Sequence, residues 1–217
     1  YFLSEGWVQK NSVQLGQKAF SNTLAPMFTC WSAVGKCLGV RSKIYGQASM
    51  CPQIALNDWR LAAYLSNYTK PKRFPRFVFD LSKRQLAILV EAFRKGDGAN
   101  DVASIRNNRL TFYTTSWNLS DGLMEIGLKL GYSPHCSVRV IRERDWAPEL
   151  TIGFGHLTQH SFRRLPEKVN YSGWVYDVAL EKHHLLMVRR NGKVVWSGNS
   201  TANGEDGIFY PEVQKAL

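Results

Sequence analysis

The sequence predicts an α+β fold, and three patterns along the chain indicate this class. The first is a helical pattern over residues 86–98, whose apolar side chains share one face at Leu86, Leu89, Val90 and Phe93. The second is a strand pattern over residues 109–116, where polar and apolar side chains alternate. The third is the pair Asn191-Gly192, which favours a tight turn between antiparallel strands. Helices and antiparallel strands are therefore mixed along one chain.

Composition limits the class of partner. The chain has 217 residues, of which 44% are hydrophobic and 12% aromatic, so a folded protein of one or two domains is expected. Its formal net charge of +11 favours a polyanion such as nucleic acid, although an excess of Lys and Arg can also serve solubility alone. No apolar run approaches the roughly 18 residues of a membrane span, so no membrane partner is expected and the expected location is cytoplasmic.

A helix with an acid at its end lies in the middle of the chain. Ser82 is the expected N-cap, and Gln85 completes a capping box three residues later. Ala92 and Gly96 lie four residues apart and form a small-residue seam that a second helix can approach closely. Asp97 follows where the helix dipole disfavours a carboxylate, and a divalent metal ion would offset that repulsion. The alternative is that Asp97 belongs to an ordinary helix stop and turn.

The residues after this helix favour a DNA-binding sheet. Strands are expected at 109–116, 137–144 and 149–159, with a helix at 119–130. One face of the sheet would pack on helices, and the other would present side chains to bases and phosphates. The predicted DNA-binding residues are Arg106, Arg109, Thr111, Tyr113, Arg139, Arg142 and Arg144. The alternative is that these arginines are solvated charges at strand edges.

This stretch resembles the LAGLIDADG motif of homing endonucleases. The resemblance places Ala92 and Gly96 at a helix interface, and it places Asp97 with the Gly96 carbonyl at a metal site. It implies an αββαββα domain over residues 24–168, with Mg²⁺ as the cofactor. It also implies double-stranded DNA as the partner and a cut in both strands at the insertion site in a host gene.

A single-chain enzyme of this type needs two acid-ended helices. The candidate helices before residue 75 lie at 31–40 and 58–68, and neither ends in an acid followed by glycine. Residues 24–75 are therefore expected to be a degenerate first half. Cleavage is expected to need a homodimer that forms through the seam at Ala92 and Gly96.

A different chemistry is indicated near the end of the chain. Asn199 is followed directly by Ser200. The Asn199 amide can attack its own backbone carbonyl, close a succinimide and release Ser200 as a new amino terminus. His183 and His184 are the candidate catalytic histidines of this segment. The alternative is that Asn199 and Ser200 form an ordinary turn after a glycine.

This segment resembles the C-terminal splicing block of inteins, which have the Hint fold. The resemblance implies an all-β, discontinuous splicing fold made from residues 1–23 and 169–199, with the endonuclease domain inserted between them. It places Asp177 in the entry strand of the splicing fold, and it makes a separate N-terminal intein fragment an expected partner. Gly198 stands where inteins usually carry histidine.

Residues 200–217 would then be extein, the flanking host protein. Their first part, Ser200 to Gly204, resembles a segment of phage large terminase ATPases. This resemblance implies a gene carried by a phage or another mobile element in a bacterial host cell.

Three functions therefore compete. The first is a metal-dependent homing endonuclease associated with an intein. The alternative is the C-terminal part of a split or decayed intein, which performs splicing or Asn cyclisation and carries an inactive DNA-binding insertion. The third is a basic nucleic-acid-binding protein without either activity.

Overall fold

The computed structural model describes residues 1–98, 110–140, 147–156, 167–174, 178, 180 and 184–198. Several predicted site residues lie outside these ranges, namely Arg106, Arg109, Arg142, Arg144, Asp177, His183, Asn199 and Ser200. Within the described part of the chain, no helix has the length and apolar character that a membrane crossing demands.

The first half of the chain is an antiparallel sheet covered by helices on one face. Its elements are α1 (Phe2–Glu5), β1 (Gly6–Gln9), β2 (Ser12–Gly16), α2 (Leu24–Leu38), β3 (Ser42–Tyr45), β4 (Gln53–Asn57) and α3 (Trp59–Ser66). The strands lie in the order β1-β2-β4-β3. Alternate side chains of the two central strands are buried in a core with α2 and α3, namely Val13, Leu15, Ile54 and Leu56.

The second half has the same plan with a wider sheet. A 3₁₀ helix (Arg76–Asp80) leads into α4 (Lys83–Asp97), β5 (Leu110–Thr114), α5 (Trp117–Lys129), β6 (Ser133–Arg139), β7 (Glu149–Gly155), β8 (Leu185–Arg190) and β9 (Lys193–Gly198). Its strands lie in the order β5-β7-β6-β9-β8. The core between this sheet and its helices includes Phe93, Phe112, Leu123, Ile152 and Phe154.

The helix predicted in the middle of the chain is confirmed as α4. The Ser82 hydroxyl accepts a hydrogen bond from the Gln85 backbone N–H, and the Gln85 side chain accepts one from the Ser82 N–H, so the capping box is complete. The helix ends at Asp97, and Gly98 follows in extended conformation. The strand expected at 137–144 begins instead at Ser133, because Gly131 reverses the chain at a φ of 90° directly after α5.

The two halves repeat one order of elements, helix-strand-strand-helix-strand-strand. In the first half this is α1-β1-β2-α2-β3-β4. In the second half, α4 is followed by a backbone bridge between Gly98 and Phe112 of β5, which corresponds to the pairing of β1 with β2. The first repeat therefore includes α1, β1 and β2, which precede residue 24, and it carries the same order of elements as the second.

The expected domain boundary between residues 23 and 24 is wrong. β2 pairs with β4 in antiparallel register from Ser12 opposite Asn57 to Gly16 opposite Gln53. Val13 and Leu15 alternate inward and complete the first core, so their burial fixes this register. Residues 1–16 thus belong to the first sheet and its core instead of a separate splicing fold.

The segment expected as the C-terminal splicing strands forms a hairpin on the second sheet. Asn191 and Gly192 have φ values of 49° and 73°, which confirms the predicted two-residue turn between β8 and β9. β9 pairs with β6 at Lys193 opposite His135, and Val194 is buried in the second core. In the described part of the chain this hairpin extends the second sheet and forms no splicing fold of its own.

Candidate metal and nucleic-acid site

Helix α4 places Asp97 through its packing one turn earlier. The Phe93 ring lies 6.0 Å from the Phe74 ring and 5.8 Å from the Phe112 ring. Phe112 continues this contact to Phe154 at 5.1 Å. Aromatic pairs at such distances combine large buried area with a preferred geometry. The last turn of α4, and with it the Asp97 carboxylate, is therefore fixed to the second core.

Helix α1 lies against the end of α4 at Gly96. A methyl group added at Gly96 would lie 3.2 Å from Cγ of Glu5 and would overlap the Ser4 side chain. Gly96 thus permits close helix contact, as predicted. The contact is made within one chain, however, so the seam predicted to join two copies is occupied by the chain's own α1. Ala92 is half-buried on the same helix.

Glu5 is a candidate functional residue that the sequence reasoning missed. It is the last residue of α1, and Gly6 follows it, as Gly98 follows Asp97. The expectation that the first half lacks an acid-ended helix is therefore wrong. Because α1 has four residues, its sequence contains no periodic pattern to count. The sequence signal that could have revealed it is a small residue followed by an acid and a glycine. This triplet occurs at Ser4-Glu5-Gly6, before an alternating strand, and again at Gly96-Asp97-Gly98.

The two acids share one electrostatic environment. The pKa of the Asp97 carboxyl is raised to about 6, mainly by burial; the charge of Lys72 opposes this rise and the nearby charge of Glu5 adds to it. The Lys72 ammonium also donates to the Ser4 carbonyl at 3.5 Å. The Lys72 backbone is held in turn, because its carbonyl accepts from the Ser116 hydroxyl at 2.5 Å. One lysine therefore faces the ends of both helices.

Gln17 orients the carboxylate of Glu5. The Gln17 side-chain nitrogen donates to Glu5 Oε1 at 3.2 Å. The Gln17 side-chain oxygen accepts from the backbone N–H of Lys18 at 2.8 Å. Since one end of the amide is fixed by the backbone, its NH₂ group points to Glu5.

This donor set fits a magnesium ion shared with a substrate. Among the described residues there is no group of three or more His, Cys, Asp or Glu side chains that could enclose a metal. Mg²⁺ is commonly held by one or two carboxylates and completed by water and substrate phosphate oxygens. A cation would also stabilise the Asp97 carboxylate against its burial and the nearby Glu5 charge, the two causes that raise its pKa. The residues that would hold it are Glu5 and Asp97, with the predicted help of the Gly96 carbonyl.

The outer face of the second sheet carries the described part of the predicted DNA-binding set. Thr111 and Tyr113 lie on the side of β5 opposite to buried Phe112. Arg139 is exposed, and its register places it on the same face. Further polar side chains share this face at His135, Ser137, Glu149, Thr151, Arg190 and Lys193.

The outer face of the first sheet is a second polar surface that the sequence reasoning did not anticipate. It carries Trp7, Gln9, Gln14, Lys43, Tyr45, Gln53 and Asn57, opposite to the buried core. The signal was the alternation of Gln14 with Val13 and Leu15, which predicts a half-buried strand.

His184 is the described member of the predicted splicing residues. It lies immediately before β8, is exposed, and has a φ of 43°. The structure does not bring it together with Glu5 or Asp97 in any described hydrogen bond or ion pair. The other splicing residues lie outside the described residues.

Solved structures share this fold. Over 71% of this chain and 84% of the other, it is similar to the homing endonuclease I-DmoI in complex with DNA and manganese, with a TM-score of 0.51 and 12% identity. The chain has the fold of a LAGLIDADG homing endonuclease. A complex of I-DmoI with DNA and calcium gives a TM-score of 0.53 and 13% identity over 71% and 78% of the two chains. Mesophilic variants of I-DmoI give a TM-score of 0.51 and 13% identity over 69% of this chain and 80% of the other.

No family model and no curated protein sequence matches the chain. The likeness to I-DmoI is therefore one of fold. It covers 71% of the chain.

Proposed function

We propose that this chain is a metal-dependent homing endonuclease that cuts both strands of duplex DNA. The observation that carries the proposal is the pair of acids, Glu5 and Asp97, at the adjoining ends of α1 and α4. The I-DmoI complexes with DNA and divalent metals support it at the level of the fold. Each acid comes from one repeat, so a single chain supplies the two halves of a site for two strands.

The side chains around the acids have distinct tasks in this proposal. Glu5 and Asp97 hold the cation, which when bound polarises a phosphate oxygen and lowers the pKa of a water molecule. Gln17 keeps the Glu5 carboxylate oriented through its hydrogen bond. Lys72 places a positive charge beside both helix ends, where it can stabilise negative charge on a phosphate during hydrolysis.

The proposed partner is double-stranded DNA, bound along the outer faces of the two sheets. The net charge of +11 favours a phosphate backbone, and a β-sheet face can present side chains to the edges of bases. Contacts to phosphate would position the duplex, while contacts to bases would select the sequence.

The experiment is a cleavage selection on a randomised duplex DNA library with Mg²⁺. The wild-type chain should recover one family of sites, each cut at a discrete position on both strands, and EDTA should prevent the cut. Asp97→Asn should bind the recovered site without cutting it. Intact DNA with the wild-type chain at all Mg²⁺ concentrations would overturn the proposal.

A second activity is proposed for the end of the chain on sequence grounds. Asn199 is followed directly by Ser200, and its side-chain amide could attack its own backbone carbonyl and release the segment that begins at Ser200. With a separate N-terminal intein fragment supplying the other splicing residues, the chain would release the segment 200–217. Mass spectrometry of the purified chain should then detect release of this peptide, and Asn199→Ala should abolish the release. An unchanged mass with that fragment present would exclude this activity.

A further inference from the structure

Four amide side chains lie together on the outer face of the first sheet. They are Gln9, Gln14, Gln53 and Asn57, here named the amide cluster. The strand register places Gln14 opposite Ala55 and Gln53 opposite Gly16. Ser12 lies between the other two amides, opposite Asn57 on one side and Gln9 on the other. Small residues therefore stand between the amides on the two central strands.

The amide cluster is ordered by the protein itself. The Gln14 side-chain nitrogen donates to Gln9 Oε1 at 3.1 Å across β1 and β2. Gln14 and Gln53 are half-buried, whereas Gln9 and Asn57 are exposed. The buried Ser12 hydroxyl has no hydrogen-bond partner among the described residues. This part of the face thus presents polar groups whose positions are fixed and which can still form hydrogen bonds with a ligand.

Protection of a sheet edge does not explain the cluster. Polar side chains at an edge strand can serve to prevent pairing with another chain. Gln14 and Gln53 lie on β2 and β4, however, and these are the two inner strands of the sheet. The half-burial of these amides needs a different reason.

The second sheet differs in the chemistry of the same face. Its described outward positions carry the charged residues Arg139, Glu149, Arg190 and Lys193, and no Gln or Asn on any strand. Between them lie His135, Ser137 and Thr151. On the strands of the first sheet, Lys43 is the charged residue of the outer face. The amide cluster is thus a property of one half.

We infer that the amide cluster reads adenine, so that the half-site bound by the first sheet is rich in A·T pairs. An Asn or Gln amide matches the N7 acceptor and N6 donor that adenine presents in the major groove. Arginine and lysine instead match guanine, and a carboxylate matches the cytosine amino group. This inference rests on the proposed function, because it assigns base preference to a DNA-binding face.

The test is a binding selection of the full chain on randomised duplex DNA in EDTA, so that bound molecules stay intact. Wild type should recover sites in which one half is dominated by A·T pairs. Gln14→Ala and Gln53→Ala should each lower the preference for adenine at one position by about tenfold. Lys43→Ala, on the same face, is the matched control and should weaken binding to all sequences evenly.

Gln14→Glu distinguishes a loss of base recognition from a folding defect, because it should produce a new base preference. A carboxylate accepts from the cytosine amino group, so this variant should change the preferred base from adenine to cytosine at the same position. Recovered sites without an A·T-rich half, or Gln14 variants that leave every position unchanged, would overturn the inference while leaving the proposed function intact. Failure of the wild-type chain to bind any duplex would instead overturn both.

Discussion

The two halves of the chain present matching helix ends beside dissimilar sheets. α1 and α4 each end in an acid followed by glycine. The first sheet has four strands and an amide-rich outer face with one described charged residue, Lys43, whereas the second has five described strands and carries arginine, lysine and glutamate. Under the proposed function, one reaction requires the same carboxylate groups from both halves, while two different DNA half-sites allow the outer faces to differ. In that proposal the acids carry the chemistry, and the faces carry the sequence specificity.

The environments of the two acids differ as well. Glu5 receives a hydrogen bond from Gln17, which orients it. For Asp97, mainly burial raises the pKa of the carboxyl to about 6. The helix that carries Asp97 is fixed by an aromatic core, and α1 packs against its last turn at Gly96. The position of α1 thus depends on the end of α4, which the second core supports.

Phe93→Ala tests this dependence and should have the largest effect on stability. The Phe93 ring is 2% exposed and packs between Phe74 and Phe112, so its loss should cost about 3–5 kcal/mol. Urea unfolding followed by fluorescence would measure the change. Ile88→Ala, at a side chain that is 58% exposed on the same helix, is the control and should be nearly neutral. Two separate transitions in Phe93→Ala, with the first half unaffected, would show that the halves are independent.

Asp97→Asn should stabilise the metal-free chain at neutral pH. The folded pKa of about 6 lies above the ordinary value of 3.8, so the folded state binds the proton more tightly than the unfolded state. The resulting stability is present in full below pH 3.8 and is lost as the pH rises through 6. At pH 7.5 the unfolding equilibrium constant of the variant should therefore be about tenfold lower than that of wild type. At pH 4 the two constants should be nearly equal.

Urea midpoints of wild type and Asp97→Asn at the two pH values, in EDTA, measure this difference. Equal midpoints at pH 7.5 would show that the carboxylate is well solvated or neutralised by Lys72. The comparison of the two acids would then lose its electrostatic part.

Gly96→Val tests the contact between the halves and should cost about 1–3 kcal/mol, because the added atoms enter the space of Ser4 and Glu5. Gly198→Ala is the control, since a methyl group there meets no atom within 4 Å. Thermal unfolding of both variants measures the difference. If Gly96→Val is as stable as wild type, then α1 does not pack on α4 in solution.

The smallest expected effect separates phosphate contacts from base contacts. Arg139→Ala and Lys193→Ala should each lower the salt slope of DNA binding by about one, because each removes one cation from the second face. Gln14→Ala should leave that slope unchanged. Fluorescence anisotropy at several salt concentrations provides the slopes. Equal slopes for all three variants would mean that the faces do not divide their roles in this way.

Much of the second half could be predicted from the sequence. Ser82 and Gln85 define the start of α4 through local hydrogen bonds, and the spacing of Leu86, Val90 and Phe93 defines its buried face. The alternation of Thr111 and Tyr113 with Phe112 likewise defines β5. These features depend on near neighbours in the chain, which is why they were predictable.

The errors concern features that depend on distant contacts. The role of Glu5 follows from the packing of α1 on Gly96, and the place of β2 follows from its pairing with β4. Neither can be read from the local pattern of residues 1–23, which the sequence analysis assigned to the splicing fold. The hairpin that ends at Gly198 was predicted as a hairpin, but its attachment to β6 through Lys193 was not.

The central claim is that one chain supplies both acids of one cleavage site. Strand-resolved cleavage of the selected duplex by Glu5→Gln, Asp97→Asn and wild type, each confirmed as monomeric by sedimentation, tests it most directly. The account predicts that either substitution lowers double-strand cleavage by at least about a hundredfold, while binding to the duplex is retained. Full activity of Glu5→Gln, or activity of wild type only as a dimer, would contradict it.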